Sequence, residues 1–103
     1  MNRIEKIMEI LQDQPKDSFL KHALALEYIK IDKEDEAIIQ FVELLNNEPD
    51  YVGSYYHLAK LYERNQETDA AIEIYKKGME VAKKLKDNHN LNELRSAYDN
   101  LVD

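Results

Sequence analysis

Cysteine is absent from this 103-residue sequence, and glycine and proline occur only twice each. Without cysteine the chain can form no disulfide framework, perform no thiolate chemistry and build no cysteine-based zinc site. With so little glycine and proline there is little room for sheets or long loops, and a Gly-rich phosphate loop is missing. These absences favour a helical protein without thiol-based or phosphate-loop catalysis.

A long apolar run and an excess of basic residues are missing too. No stretch approaches the roughly 20 apolar residues that a transmembrane helix needs. The first six residues carry charges throughout and lack the apolar segment of a secretory signal. The formal net charge is −7, whereas nucleic-acid binding needs clustered Lys and Arg opposite phosphates. We therefore expect a cytoplasmic protein that binds neither nucleic acid nor membrane.

The sequence does contain one pattern twice, 34 residues apart. Each copy has a large apolar residue followed by a small one, an aromatic residue one helical turn later, then a second small residue and a second aromatic. Two antiparallel helices that cross closely need this arrangement, because Ala lets the backbones approach while aromatic rings fill the gaps on either side. The copies are Leu24, Ala25, Tyr28, Ala37 and Phe41, and Leu58, Ala59, Tyr62, Ala71 and Tyr75.

The pattern resembles the tetratricopeptide repeat, a helix–turn–helix of about 34 residues with the signature W-x2-L-G-x2-Y…A-x3-F…P. The first repeat spans 18–51, with Pro49 at the family's proline position, and the second spans 52–85. The resemblance implies an all-α fold, a right-handed stack of antiparallel helix pairs. The sequence departs from the signature at Lys21 and Tyr55 in place of Trp, at Ala25 and Ala59 in place of Gly, and at Lys83 in place of the second Pro.

Apolar periodicity and turn residues predict six helices. Five span about 2–13, 17–31, 52–65, 68–86 and 91–102, and the third opens within the turn at 32–36 and continues to about 47. The first, within 1–15, is similar to the second half of a repeat that lacks its partner. The last, within 90–102, is similar to the first half of a third repeat and is expected to cap the stack. Asn90 followed by Glu93 predicts an Asn-led capping box at its start. The chain 1–103 is therefore expected to form one domain.

Support for enzyme chemistry is thin. The histidines His22 and His57 fall one position apart in the repeat register, so metal binding through them is a remote alternative. No further ligands stand at helical spacing, such as the second His of an H-E-x-x-H motif. No serine lies on a nucleophile turn. We expect a protein without catalytic activity, cofactor or metal.

Partner binding has better support. In the family that the sequence resembles, the first helices of successive repeats line a concave groove that holds an extended peptide or a partner helix. The resemblance therefore implies a scaffold that binds a protein or peptide in this groove. The residues that it places there as partner-binding are Phe19, His22, Leu26 and Ile29 from the first repeat, and Tyr56, Lys60 and Arg64 from the second.

The residues themselves point the same way. After the core stripe of the fourth helix is assigned, Tyr56, Lys60 and Arg64 remain on another face at i, i+4, i+8 spacing. An aromatic ring and two cations in a row suit a ligand with an acidic end. A solvated face, or pairing of Lys60 with Glu63, would explain the same spacing. The apolar residues of the first repeat could instead pack on the N-terminal helix.

Two further expectations concern the partner. Family members that bind the acidic tails of heat-shock chaperones use Lys and Asn at two first-helix positions, which are His22 and Leu26 here. The resemblance therefore does not extend to chaperone tails. The alternative to a scaffold for other proteins is a self-associating structural module, and we expect a monomer or a weak homodimer.

Overall fold

The computed structural model describes residues 2–103, and within them it contains six α-helices and no strand. The all-α fold and the number of helices are confirmed. None of these helices is long and apolar enough to cross a membrane. The helices are α1 (Arg3–Asp13), α2 (Ser18–Lys30), α3 (Glu34–Asn47), α4 (Gly53–Arg64), α5 (Thr68–Lys84) and α6 (Asn88–Val102).

The start of α6 differs from the prediction. The predicted capping box of Asn90 and Glu93 is wrong, because Asp87 is the N-cap and the helix begins three residues earlier. The carboxylate of Asp87 accepts hydrogen bonds from the backbone N–H of Asn90, at 3.0 Å, and from its side-chain amide, at 2.8 Å. A carboxylate is the stronger acceptor, and it also complements the positive end of the helix dipole.

The turns after α2, α4 and α5 share one geometry that the sequence does not reveal. Asp32, Gln66 and Lys86 have φ values of 61°, 62° and 57°, the left-handed conformation that usually favours glycine. In each turn the following backbone N–H donates to a carbonyl oxygen five residues earlier, at 2.8–2.9 Å. Asp32 and Gln66 are equivalent positions of the two repeats, so the backbone repeats where the side chains do not.

The contacts divide the chain into two compact units, one ending at Glu48 and the other spanning Pro49–Asp103. In the first unit α2 packs on α3 and on α1. Ala25, Ala37 and Phe41 are fully buried there, as the close-crossing pattern predicts. The organisation of the whole chain as one domain stays a prediction.

Lys21 occupies the position at which the tetratricopeptide signature has Trp, and it is only 8% exposed. Its ammonium lies 3.5 Å from the carboxylate of Glu43 on α3, which is itself largely exposed. The aliphatic stem therefore fills the buried site while the charge reaches the surface.

In the second unit α5 packs on both α4 and α6, and α4 also contacts α6. Tyr55 occupies the Trp position here, and its hydroxyl donates a hydrogen bond of 2.6 Å to the carbonyl oxygen of Pro49. The core of this unit includes Tyr55, Leu58, Ala59, Leu61, Ala71, Tyr75 and Leu94, each at most 1% exposed.

Candidate functional site

A groove of about 450 Å³ lies between α4 and α6 in the second unit. Tyr56 and Lys60 form its α4 side. They are two of the predicted partner-binding residues, and they lie one helical turn apart. Tyr56 and Lys60 are both half-buried, whereas all the lining residues of α6 except Ala97 are exposed, so the groove is open to solvent. The residues that line it are Tyr56, Lys60, His89, Asn92, Glu93, Ser96, Ala97 and Asn100.

The sequence pattern predicts α6 as a cap of the stack and does not place any of its residues in the groove. Asn92, Ser96 and Asn100 stand at i, i+4, i+8 and therefore lie in one row along the helix. The signal for them was the similarity of α6 to the first helix of a repeat, with Leu94 and Tyr98 spaced as Leu58 and Tyr62 are. Continuing that register along α6 would have placed this row in the groove.

Lys60 has two neighbours on its own helix. Its Nζ lies 3.6 Å from Oε2 of Glu63 and 5.6 Å from the centroid of the Tyr56 ring. The pairing with Glu63 is one of the alternatives that the sequence left open, and it is present. Lys60 nevertheless keeps two-fifths of its side-chain surface exposed, so its ammonium also remains accessible from the groove.

Glu63 is held from the core side as well. The hydroxyl of the fully buried Tyr75 on α5 donates a hydrogen bond to Oε2 of Glu63, the oxygen that faces Lys60. Burial, followed by this hydrogen bond to a carboxylate, raises the pKa of Tyr75 far above its usual range. The phenol therefore stays protonated at neutral pH and can donate this hydrogen bond.

His57 lies beside the groove and its ring meets the Tyr56 ring edge to face, with centroids 5.8 Å apart. Burial lowers the pKa of His57, while the nearby carboxylate of Glu93 acts in the opposite direction. Arg64, the third residue of the predicted row, is exposed in the last turn of α4. Within residues 2–103 it is not part of the groove lining.

The predicted residues of the first repeat lie on α2, in the first unit. Phe19 is 69% exposed, the largest exposure of any bulky apolar residue that the structure describes. The ring of His22 packs edge to face on buried Phe41, with centroids 5.6 Å apart. Leu26 and Ile29 are half-buried. This face therefore offers one strongly exposed aromatic and two partly covered aliphatic side chains.

Residues 2–103 contain no group of three His, Asp or Glu side chains that could hold a metal ion. The remote alternative of metal binding through His22 and His57 therefore gains no support from the structure.

The family model of the tetratricopeptide repeat matches residues 52–85. A tetratricopeptide repeat domain protein from Salinibacter ruber is 46% identical to the chain in both a solution NMR structure and a crystal structure. The NMR structure has a TM-score of 0.81, and the alignment covers 84% of this chain and 88% of that one. The crystal structure has a TM-score of 0.80, with coverages of 82% and 96%. The chain belongs to the tetratricopeptide repeat family.

Two more distant structures share the fold of this tetratricopeptide repeat protein. A Bordetella parapertussis protein is 19% identical, with a TM-score of 0.84 and coverage of 99% of this chain and 89% of that one. The TPR2B domain of yeast Sti1, solved as a complex with pHsp70, is 17% identical, with a TM-score of 0.88 and coverages of 96% and 79%. No curated protein matches the chain. Members of the family generally mediate protein–protein interaction and are typically non-catalytic.

Proposed function

We propose that this tetratricopeptide repeat protein binds a short, extended segment of another protein in the groove between α4 and α6. The observation that carries the proposal is the pair of opposed rows, Tyr56 and Lys60 on one side and Asn92, Ser96 and Asn100 on the other. The groove volume of about 450 Å³ falls within the usual range for a binding site.

The chemistry of the α6 row suits a peptide backbone. A carboxamide offers both a donor and an acceptor, which matches the N–H and C=O of a peptide bond, and a hydroxyl can serve either role. One row of such groups binds an extended backbone without regard to its side chains. The Tyr56 ring then provides an apolar contact for one ligand side chain.

Lys60 supports the finer proposal that the ligand carries an acidic group. Because Glu63 already lies 3.6 Å from the ammonium, a ligand carboxylate would share Lys60 with it. The gain is then that of a partly exposed ion pair, up to about 1 kcal/mol. A groove of this size with one such pair suits a micromolar affinity, about −8 kcal/mol.

Phe19, His22, Leu26 and Ile29 support a second contact surface, on α2. Phe19 is the strongest element because its ring is 69% exposed, and an apolar anchor would bury it. Truncating it in Phe19→Ala should weaken binding equally at low and high salt, because an apolar contact is not screened.

The test selects ligands from a random display library of 12-residue peptides and measures their affinity for defined variants. Asn92→Ala with Asn100→Ala should weaken binding about tenfold, as expected for two lost hydrogen bonds. Lys60→Glu should weaken the binding of acidic ligands and reduce the salt dependence of that binding. The matched controls are Asn46→Ala with Asn47→Ala on exposed positions of α3, and Lys76→Glu on the exposed face of α5.

An amide-shift titration with the selected peptide locates the site. Shifts along α4 and α6 would support the proposal. Shifts confined to α3 and α5, or equal losses from the control variants, would contradict it. Sedimentation of the unliganded protein tests the alternative of a self-associating structural module. The apparent molecular weight of such a module would rise with concentration, whereas that of a monomer would not.

A further inference from the structure

A single carboxylate oxygen connects the core of the second unit to the groove. Oε2 of Glu63 accepts the hydrogen bond from buried Tyr75 and lies 3.6 Å from the ammonium of Lys60. Lys60 in turn stands 5.6 Å from the Tyr56 ring centroid. The contacts therefore run from a core hydroxyl, through one side chain, to the cation that lines the groove.

We propose that Tyr75 is a positioning residue for the binding groove: its buried hydroxyl fixes Glu63, and Glu63 holds the Lys60 ammonium beside the Tyr56 ring. The inference rests on the proposed function, because it assigns a role in that same groove. Tyr75 itself touches no ligand and acts only through Glu63.

The need for such a residue follows from the weakness of the pair that it supports. An i, i+3 ion pair on a solvent-facing helix contributes little to stability, so alone it leaves both side chains free to change rotamer. A hydrogen bond between a hydroxyl and a carboxylate is charge-assisted and stronger. Because the Tyr75 ring is completely buried, the position of its hydroxyl is fixed by packing. The hydrogen bond to this hydroxyl therefore restricts the rotamer of the Glu63 side chain.

The first repeat shows that packing does not require the hydroxyl. Phe41 occupies the position equivalent to Tyr75, 34 residues earlier, and is equally buried. At that repeat the positions equivalent to Tyr56, Lys60 and Glu63 hold His22, Leu26 and Ile29, so there is no carboxylate at the Glu63 position and no lysine at the Lys60 position. The hydroxyl accompanies the pair of Lys60 and Glu63 and is absent from the repeat that lacks such a pair.

The test variant is Tyr75→Phe, which installs the residue that the chain itself uses at the equivalent position. The matched control is Tyr55→Phe, which also removes one hydroxyl hydrogen bond from a buried tyrosine of the second unit, the bond to Pro49. The control hydroxyl touches neither Glu63 nor Lys60.

The first readout needs no ligand. In the wild-type protein the ε-methylene protons of Lys60 should show a ring-current shift, assigned to Tyr56 by its loss in Tyr56→Leu. Tyr75→Phe should move this signal most of the way to the value of a free lysine, and Tyr55→Phe should leave it in place. An unchanged Lys60 signal in folded Tyr75→Phe would overturn the proposal.

The second readout is a double-mutant cycle with a peptide selected from the display library. Tyr75→Phe should lower its affinity about fivefold, the upper range for a surface ion pair. Tyr75→Phe should have no effect in the Lys60→Ala background, because the residue that it positions is gone. An equal loss in both backgrounds would mean that Tyr75 acts through general stability, and the proposal would fail.

The two proposals can fail separately. If no peptide binds the wild-type groove, the proposed function is wrong, and the Lys60 signal still decides whether Tyr75 positions it. If peptides bind and the Lys60 signal ignores Tyr75→Phe, the groove function stands and the positioning role is rejected.

Discussion

Gly78 on α5 and Tyr55 on α4 meet without space for a single additional carbon. A Cβ placed on Gly78 would lie 2.7 Å from the Cβ of Tyr55 and 3.1 Å from Cδ1 of Leu94 on α6. The nearest atom is anchored directly to the backbone of α4, so it cannot rotate away. The three helices of the second unit therefore come together at a residue that has no side chain.

This contact predicts that Gly78→Ala destabilises the protein. Replacing Gly by Ala inside a helix normally stabilises it by about 1 kcal/mol, but overpacking costs about 1–3 kcal/mol. We expect a net loss of about 1 kcal/mol in urea unfolding. Gly53→Ala is the control, because nothing lies within 4 Å of its added Cβ, and it should stabilise. Stabilisation by both changes would show that α5 can shift to accommodate a methyl group.

The two fully buried alanines at the predicted crossings give a second prediction. Ala25→Leu and Ala59→Leu should each destabilise by about 1–3 kcal/mol, because both positions are 0% exposed and the added carbons would separate the helices. Ala23→Leu is the matched control, because Ala23 is half-buried, and it should cost clearly less. Similar melting temperatures for all three variants would contradict the assigned repeat register.

Lys21 gives a third prediction. Lys21→Met keeps an unbranched chain in the buried site and removes only a partly exposed ion pair with Glu43. Its free energy of unfolding should stay within about 1 kcal/mol of the wild-type value. Lys21→Ala removes the packed stem and should cost about 2 kcal/mol. If Met destabilises as much as Ala in urea unfolding, the charge rather than the stem stabilises this position.

The fold could be predicted from the sequence because close helix crossings restrict residue size. Ala25 and Ala59 cannot be replaced by larger residues without separating the helices, and smaller residues in place of the neighbouring aromatics would leave cavities. The pattern is therefore repeated and easily recognised. The turns after α2 and α4 also repeat, but Asp32 and Gln66 do not resemble each other. Backbone hydrogen bonds stabilise that geometry, and they leave little trace in the side chains.

The groove could be predicted only in part. Helical spacing placed Tyr56 and Lys60 on one face, but spacing on one helix does not show which second helix faces it. Asn92, Ser96 and Asn100 could be placed there only by continuing the repeat register of α4 into α6, which the 36-residue offset of Leu94 and Tyr98 from Leu58 and Tyr62 obscures. The hydrogen bond between Tyr75 and Glu63 joins two helices and depends on one hydroxyl. The repeat pattern requires only an aromatic residue at this position, so it does not distinguish Tyr75 from Phe41.

The N-cap of α6 gives a prediction about pH. Hydrogen bonds from the backbone N–H and the side-chain amide of Asn90 lower the pKa of Asp87 below its ordinary value. As the pH falls, the unfolded chain therefore takes up the proton first. The stability contributed by this carboxylate is fully present above the unfolded pKa of about 3.9 and is lost as the pH falls through the lower folded value.

Asp87→Asn isolates this contribution, because Asn is also a good N-cap and does not titrate. The wild-type protein should melt at a higher temperature than Asp87→Asn above about pH 5, where the carboxylate is charged in both states. The difference in melting temperature should shrink between about pH 4 and pH 2, because Asp87 of the wild-type protein becomes protonated there. The other acidic groups titrate alike in both proteins, so their contributions to the difference cancel. A difference that grows as the pH falls would mean that the carboxylate destabilises the folded state and that Asn90 does not hold it in the charged form.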